Sequence, residues 1–206
     1  MIAAKPARCW TARQQAADAL VVAAHFDSAL AAHLLAVSPS LVERRASWGE
    51  SALEAASHLG NKTLAWRCIE AGARLDLFAA CALGDCRLAM SRFDATSANA
   101  RGVHGLPLLH FAIVGGSLEM LDLLLEKGVA INPAKAPVSP LHTAVAMTPV
   151  SVVQRLLEAG ADANAPDSMG ATPLDWAIDL QGPRSPAARM LVRFGARSDP
   201  AAAGAP

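Results

Sequence analysis

The stretch Ser139-Pro140-Leu141-His142-Thr143-Ala144, closed downstream by Glu158-Ala159-Gly160-Ala161, decides the fold. It returns as Thr172-Pro173-Leu174-Asp175-Trp176-Ala177 closed by Arg193-Phe194-Gly195-Ala196. It also precedes itself as Pro107-Leu108-Leu109-His110-Phe111-Ala112 closed by Glu126-Lys127-Gly128-Val129. A further closing string is Glu70-Ala71-Gly72-Ala73. Each string ends an apolar helical stretch on glycine, which enters the left-handed conformation after a helix without a side-chain clash. Gly60 and Gly116, twelve residues before Gly72 and Gly128, each close a shorter stretch, Leu53-Glu54-Ala55-Ala56 and Leu109-His110-Phe111-Ala112. Two helices per unit at a fixed period are the mark of a repeat architecture.

Start signals agree with the stops. Asn61, Asp85, Ser117, Thr148 and Ser185 stand where a side-chain oxygen would cap the second helix of a unit, and Pro149 and Pro186 follow two of them. In the first turn proline's missing N–H does no harm. Asp27 lies 34 residues before Asn61, which predicts the second helix of a further unit over Ser28 to Val37.

The three six-residue strings resemble the T-P-L-H-x-A signature of the ankyrin repeats, a turn plus two antiparallel helices in about 33 residues. Asn132 and Asn164 are similar to the asparagine that closes the ankyrin unit, and Asp162 to its acidic neighbour. The resemblance implies an all-α ankyrin-repeat solenoid of about six helix-turn-helix units with short β-hairpin or turn connections. The units run over about 15–46, 47–74, 75–101, 102–134, 135–167 and 168–199, with residues 1–14 a frayed extension and 200–206 a disordered tail. Between Gly60 and Gly84 the spacing is only 24, so the hairpin there is expected to be missing or very short.

Composition excludes several function classes. Eighteen basic residues balance eighteen acidic ones among 206, and neither sign forms a run that would suggest nucleic-acid binding. Aromatics are 4% and apolar residues 53%, much of that alanine, which suits closely spaced helices. No stretch approaches the ~20 apolar residues of a membrane span, and no secretory signal is read at the N-terminus, so the expected location is cytoplasmic. Fourteen arginines against four lysines hint at a GC-rich bacterial source. Cys9, Cys68, Cys81 and Cys86 form no CxxC pair, and His25 and His33 have no acidic or cysteine partner at ligand spacing, so neither a metal nor a cofactor is expected. Gly115-Gly116 is too short for a phosphate loop, and no nucleophile, base or carboxylate pair suggests an enzyme. His110 and His142 occupy the signature histidine position, which the resemblance implies ties adjacent turns together.

Ankyrin domains that this chain resembles usually bind a partner protein through turn tips and the concave surface of the first helices. Register then nominates Trp48, Glu50, His104, Leu106, Lys135, Val138, Met169 and Ala171 around the turns. On the first-helix ends it nominates His58, Leu59, Val114, Met147, Asp179 and Leu180. Trp48 is the sharpest of these, because tryptophan beside a turn glycine has little local core to fill; Trp176 and Phe111 sit closer to the core. Arg184, Arg189, Arg193 and Arg197 supply either the polar outer face an end unit needs or a site for phosphate or an acidic partner. The expected function is a non-catalytic, monomeric interaction module, an adaptor or a neutralising inhibitor. The alternative is a secreted or periplasmic bacterial ankyrin effector or protective protein.

Overall fold

A computed structural model of the chain describes residues 11–134 and 136–198. The described residues form six helix pairs: α1 (Ala12–Phe26) with α2 (Ser28–Val37), α3 (Ala52–His58) with α4 (Lys62–Glu70), and α5 (Leu77–Leu83) with α6 (Cys86–Arg92). These are followed by α7 (Leu108–Val114) with α8 (Leu118–Glu126), α9 (Pro140–Met147) with α10 (Val150–Glu158), and α11 (Pro173–Gln181) with α12 (Pro186–Arg193). α2 spans the ten residues expected for it. α1 begins at Ala12, capped by the Thr11 hydroxyl, so residues 12–14 belong to the first helix and not to a frayed extension. The tail 200–206 and residues 1–10 lie outside the described residues.

Helices of seven to nine residues, the length of α3 to α12, are marginal alone. They persist because each is stopped sharply and stacked on its neighbours. After α8, Gly128 N–H donates to the Leu125 carbonyl at 3.0 Å and Val129 N–H to the Leu124 carbonyl at 3.0 Å, with Gly128 at φ +80°. The same pair of bonds recurs around Gly72, Gly160 and Gly195. The start signals hold at Asp85, Ser117 and Ser185, each of which accepts a backbone N–H three residues on. Thr148 departs from the expectation. Its hydroxyl turns back to the Ala144 carbonyl at 2.8 Å, closing α9, and α10 opens on Pro149 instead. Proline one residue later fixes an extended backbone there, so the threonine falls on the wrong side of the boundary.

The described residues divide into two compact units, 11–56 with 63–74, and 57–62 with 75–198. In the first, α1 packs on α2 and both meet the 3₁₀ turn Pro39–Leu41, with Leu20, Val21, Ala31 and Leu35 buried. In the second, the first helices stack in the order α5, α7, α9, α11, each with its second helix alongside. One continuous core runs from Ala80 to Ala196. Met120, Leu121 and Leu124 of α8 and Val152, Val153, Leu156 and Leu157 of α10 belong to it, as the apolar faces of these helices predict. Burying one such leucine contributes roughly 1.5–3 kcal/mol. At the surface the Arg155 guanidinium of α10 pairs with Asp122 of α8 at 2.6 Å.

No strand forms among the described residues; Arg45–Ser51 and Arg101–Pro107 make isolated antiparallel bridges at two turn tips. Only residues 71–76 separate α4 from α5, against residues 127–139 between α8 and α9, so the finger is absent at the short spacing.

Candidate functional site

The signature histidines are built into the stack. His142 donates from Nε2 to the Ala171 carbonyl, at 3.0 Å, and its Nδ1 meets the Ser139 hydroxyl at 2.8 Å. His110 likewise joins the His58 carbonyl at 2.8 Å through Nε2 and the Thr143 hydroxyl at 3.1 Å through Nδ1. Burial pushes the His110 imidazole down to about 4, the carbonyl bond opposing this only in part, and burial lowers His142 in the same way. Both rings are neutral; His142 ties its own turn to the next, the role the resemblance implies, whereas His110 ties the end of α3 to α9. Asp175 replaces the histidine in the last pair and accepts from Thr172 N–H at 2.8 Å and from the Ser198 hydroxyl at 2.9 Å.

What these ties hold outward is a row of side chains. Val114 and Met147 end α7 and α9, Leu180 is the last residue but one of α11, the three stand at equal spacing, and these helices stack directly. Gln181 Nε2 donates to the Val145 carbonyl at 2.7 Å, fixing the end of α11 beside that of α9. Met147 is 49% and Leu180 59% exposed, Asp179 is exposed and Val114 half-buried. Leu59 is half-buried too.

The tip before α11 is a rigid platform. Asp167 Oδ1 accepts from Met169 N–H at 2.8 Å and Ala171 N–H at 3.0 Å, while its Oδ2 accepts from Trp176 Nε1 at 3.0 Å. Burial pushes this carboxyl up, but the hydrogen bonds from Met169, Trp176 and Ala171 outweigh it and hold it below the usual range. The result is a methionine 86% exposed on an ordered turn. Half-buried Ala171 spends its carbonyl on His142, and Val138 is half-buried. At the tip before α7, exposed His104 stands at φ +57°, a conformation a side chain seldom adopts.

In the first unit Trp48 is half exposed, on a tip closed by Ala46 N–H to the Glu50 carbonyl at 2.7 Å and anchored by Ser47 N–H to Asp18 at 2.7 Å. Its indole N–H donates to Glu50 at 3.0 Å.

Three nominated residues are not surface. Glu50 is buried beneath Trp48, with His25 Nε2 at 3.5 Å from its carboxylate. His25 therefore has an acidic neighbour that local spacing could not reveal. His58 is buried with its carbonyl taken by His110, and Leu106 is buried as the last residue before the α7 turn. Lys135 lies outside the described residues. Trp176 is half-buried against the core, its ring 5.1 Å from that of His142, and Phe111 is buried, as expected. Sequence reasoning missed Phe26, 86% exposed at the end of α1. It precedes Leu59 by one full period, and carrying the register one unit further back would have found it.

The family description "Ankyrin repeats (3 copies)" matches residues 77–167 and 109–200, more than half of the chain. The chain belongs to the ankyrin-repeat family. Ankyrin repeats generally mediate protein–protein interaction, and the two matched segments consist of such repeats. Among relatives, the B-cell lymphoma 3 protein homolog of Mus musculus is 40% identical over 100 residues, 48% of this chain and 22% of the relative. Ankyrin repeat and SOCS box protein 9 of Mus musculus is 40% identical over 60 residues, 29% of this chain and 20% of the relative. Neurogenic locus notch homolog protein 1 of Xenopus tropicalis is 34% identical over 107 residues, 43% of this chain and 4% of the relative. The ankyrin chain thus spans less than a quarter of the length of these three relatives, and they are animal proteins. No helix among its described residues is long and apolar enough to cross a membrane.

Proposed function

We propose that this ankyrin-repeat chain is a non-catalytic binding module that holds a partner protein along the first-helix ends Val114, Met147 and Leu180 and the tip residue Met169. It acts as an adaptor or as an inhibitor that covers the partner's own working surface. The single observation that carries the reading is the row itself: Met147 and Leu180 exposed and Val114 half-buried at equal register, on helices whose ends and turns are tied together by hydrogen bonds. A frame already held by hydrogen bonds lowers the backbone ordering cost of association, and flexible methionine adapts its shape to a partner's surface. Trp48, half exposed on its own anchored tip, is a second anchor of the same kind.

The test is affinity capture of the tagged chain from its native extract, comparing wild type with Met147→Ser/Leu180→Ser, followed by titration of the purified partner. The expected result is a stoichiometric partner bound at least tenfold more weakly by the variant, with helicity and melting unchanged. Equal binding by both proteins, or no stoichiometric partner in repeated captures, would overturn the reading.

A further inference from the structure

From residue 181 to residue 198 the chain carries Arg184, Arg189, Arg193 and Arg197 and no acidic residue. The rest of the chain therefore holds fourteen basic residues against eighteen acidic ones, so an evenly balanced protein is polarised toward one helix and its flanks. All four arginines are exposed, and none takes part in an ion pair with a described carboxylate. Arg189 is positioned: its Nη1 donates to the Arg184 carbonyl at 2.7 Å, which orients the guanidinium without neutralising it. Arg193 follows one turn later on the same face. Val192, beside it, is 58% exposed, and Phe194 at the end of the helix is 42% exposed. The opposite face of α12 is spent on the core through Ala187, Ala188 and Leu191.

A helix with one face in solvent needs only polar residues there. It has no need of a single sign of charge, nor of exposed valine and phenylalanine among the cations. Nucleic acid fits this mixture poorly, because phosphates would lie against Val192 and Phe194 and the chain as a whole is not basic. A lipid surface would call for a broader apolar face than these two side chains on an eight-residue helix. We propose that the outer face of α12 binds an acidic segment of a partner protein, its carboxylates on Arg189 and Arg193 and an apolar side chain covering Val192 and Phe194. The face is on the second helix of its pair, whereas the row described above is on first helices, so the inference does not rest on that row.

The experiment titrates the full chain into a fluorescein-labelled Glu-Glu-Leu repeat peptide, read by anisotropy. An all-Glu peptide, a Lys-Lys-Leu peptide, a single-stranded oligonucleotide and phosphatidylserine vesicles run beside it. The expected result is saturable binding of the Glu-Glu-Leu peptide in preference to every other probe, weakened about tenfold between low and high salt. Arg189→Glu/Arg193→Glu should weaken it at least about tenfold and Val192→Ser severalfold, while Met147→Ser/Leu180→Ser leaves it unchanged. Should the charge reversal disturb folding, as circular dichroism would show, Arg189→Gln/Arg193→Gln gives the same comparison. Absence of saturable binding, binding indifferent to the arginine variants, or tighter binding of the oligonucleotide or vesicles would overturn the proposal.

Discussion

Lowering the pH from 7 to 5 should destabilise this protein through His110, and the size of the effect follows from where the ring sits. In the fold the imidazole is buried between the His58 carbonyl and the Thr143 hydroxyl, and burial depresses it to about 4 from an ordinary 6.5. Because the folded value is the lower one, the unfolded chain takes up a proton in the window between 6.5 and 4 while the folded chain does not. Stability is therefore complete above the upper value and lost as the pH falls through the window. At pH 5 the loss is about 2 kcal/mol, approaching about 3 kcal/mol near pH 4, on the order of 1.4 kcal/mol per unit. His142 is depressed for the same reason and acts in the same direction. The assay is urea unfolding at pH 7 and pH 5, followed by circular dichroism, for wild type and His110→Gln. The variant is expected to be less stable at pH 7 but to lose about 2 kcal/mol less on acidification. An equal loss in both proteins would refute the assignment of this pH dependence to the buried ring.

Adjacent glycines at the end of α7 should respond differently. Gly115 has an ordinary helical φ of −69°, but an added Cβ would run into the Ala82 carbonyl of α5, so Gly115→Ala should cost about 2 kcal/mol or more in a thermal melt. Gly116, at φ +66° with open space around it, should cost only about 1 kcal/mol on the same substitution. Thiol labelling at pH 8 should find Cys86 ahead of Cys68 and Cys81, whose thiols burial pushes up to about 12; labelling of either buried thiol at the rate of Cys86 would contradict the packing. Asp167→Ala removes the acceptor of two backbone N–H groups and of the Trp176 indole, and should lower stability by about 1–3 kcal/mol and weaken any partner contact made by Met169.

The glycine-closed strings around Gly72, Gly128, Gly160 and Gly195 were legible in the sequence because a helix stop is a local event, decided within six residues by backbone geometry. The signature histidines were legible for a related reason. Ala171 and Thr143 lie about one repeat away, so a period known from the sequence tells where they must stand relative to His142 and His110, whereas the His58 carbonyl, 52 residues before His110, follows from no single period. Which residues face outward is a different kind of fact. Glu50 sits two residues from Trp48 on the same tip, yet one is buried and the other half exposed, because Trp48 folds its indole N–H onto the carboxylate and His25 approaches from α1. No property of the turn residues encodes that approach, which depends on a helix 25 residues earlier packing beneath them. Leu106 and His58 fail in the same way: both are buried, and His58 has its ring 5.0 Å from that of His104 and its carbonyl bonded to His110. Register therefore places a residue along the stack, but only packing from other helices decides its depth. The positions that met both conditions, Met147, Met169 and Leu180, are the ones where the chain leaves an apolar side chain outside although its backbone neighbours are tied down.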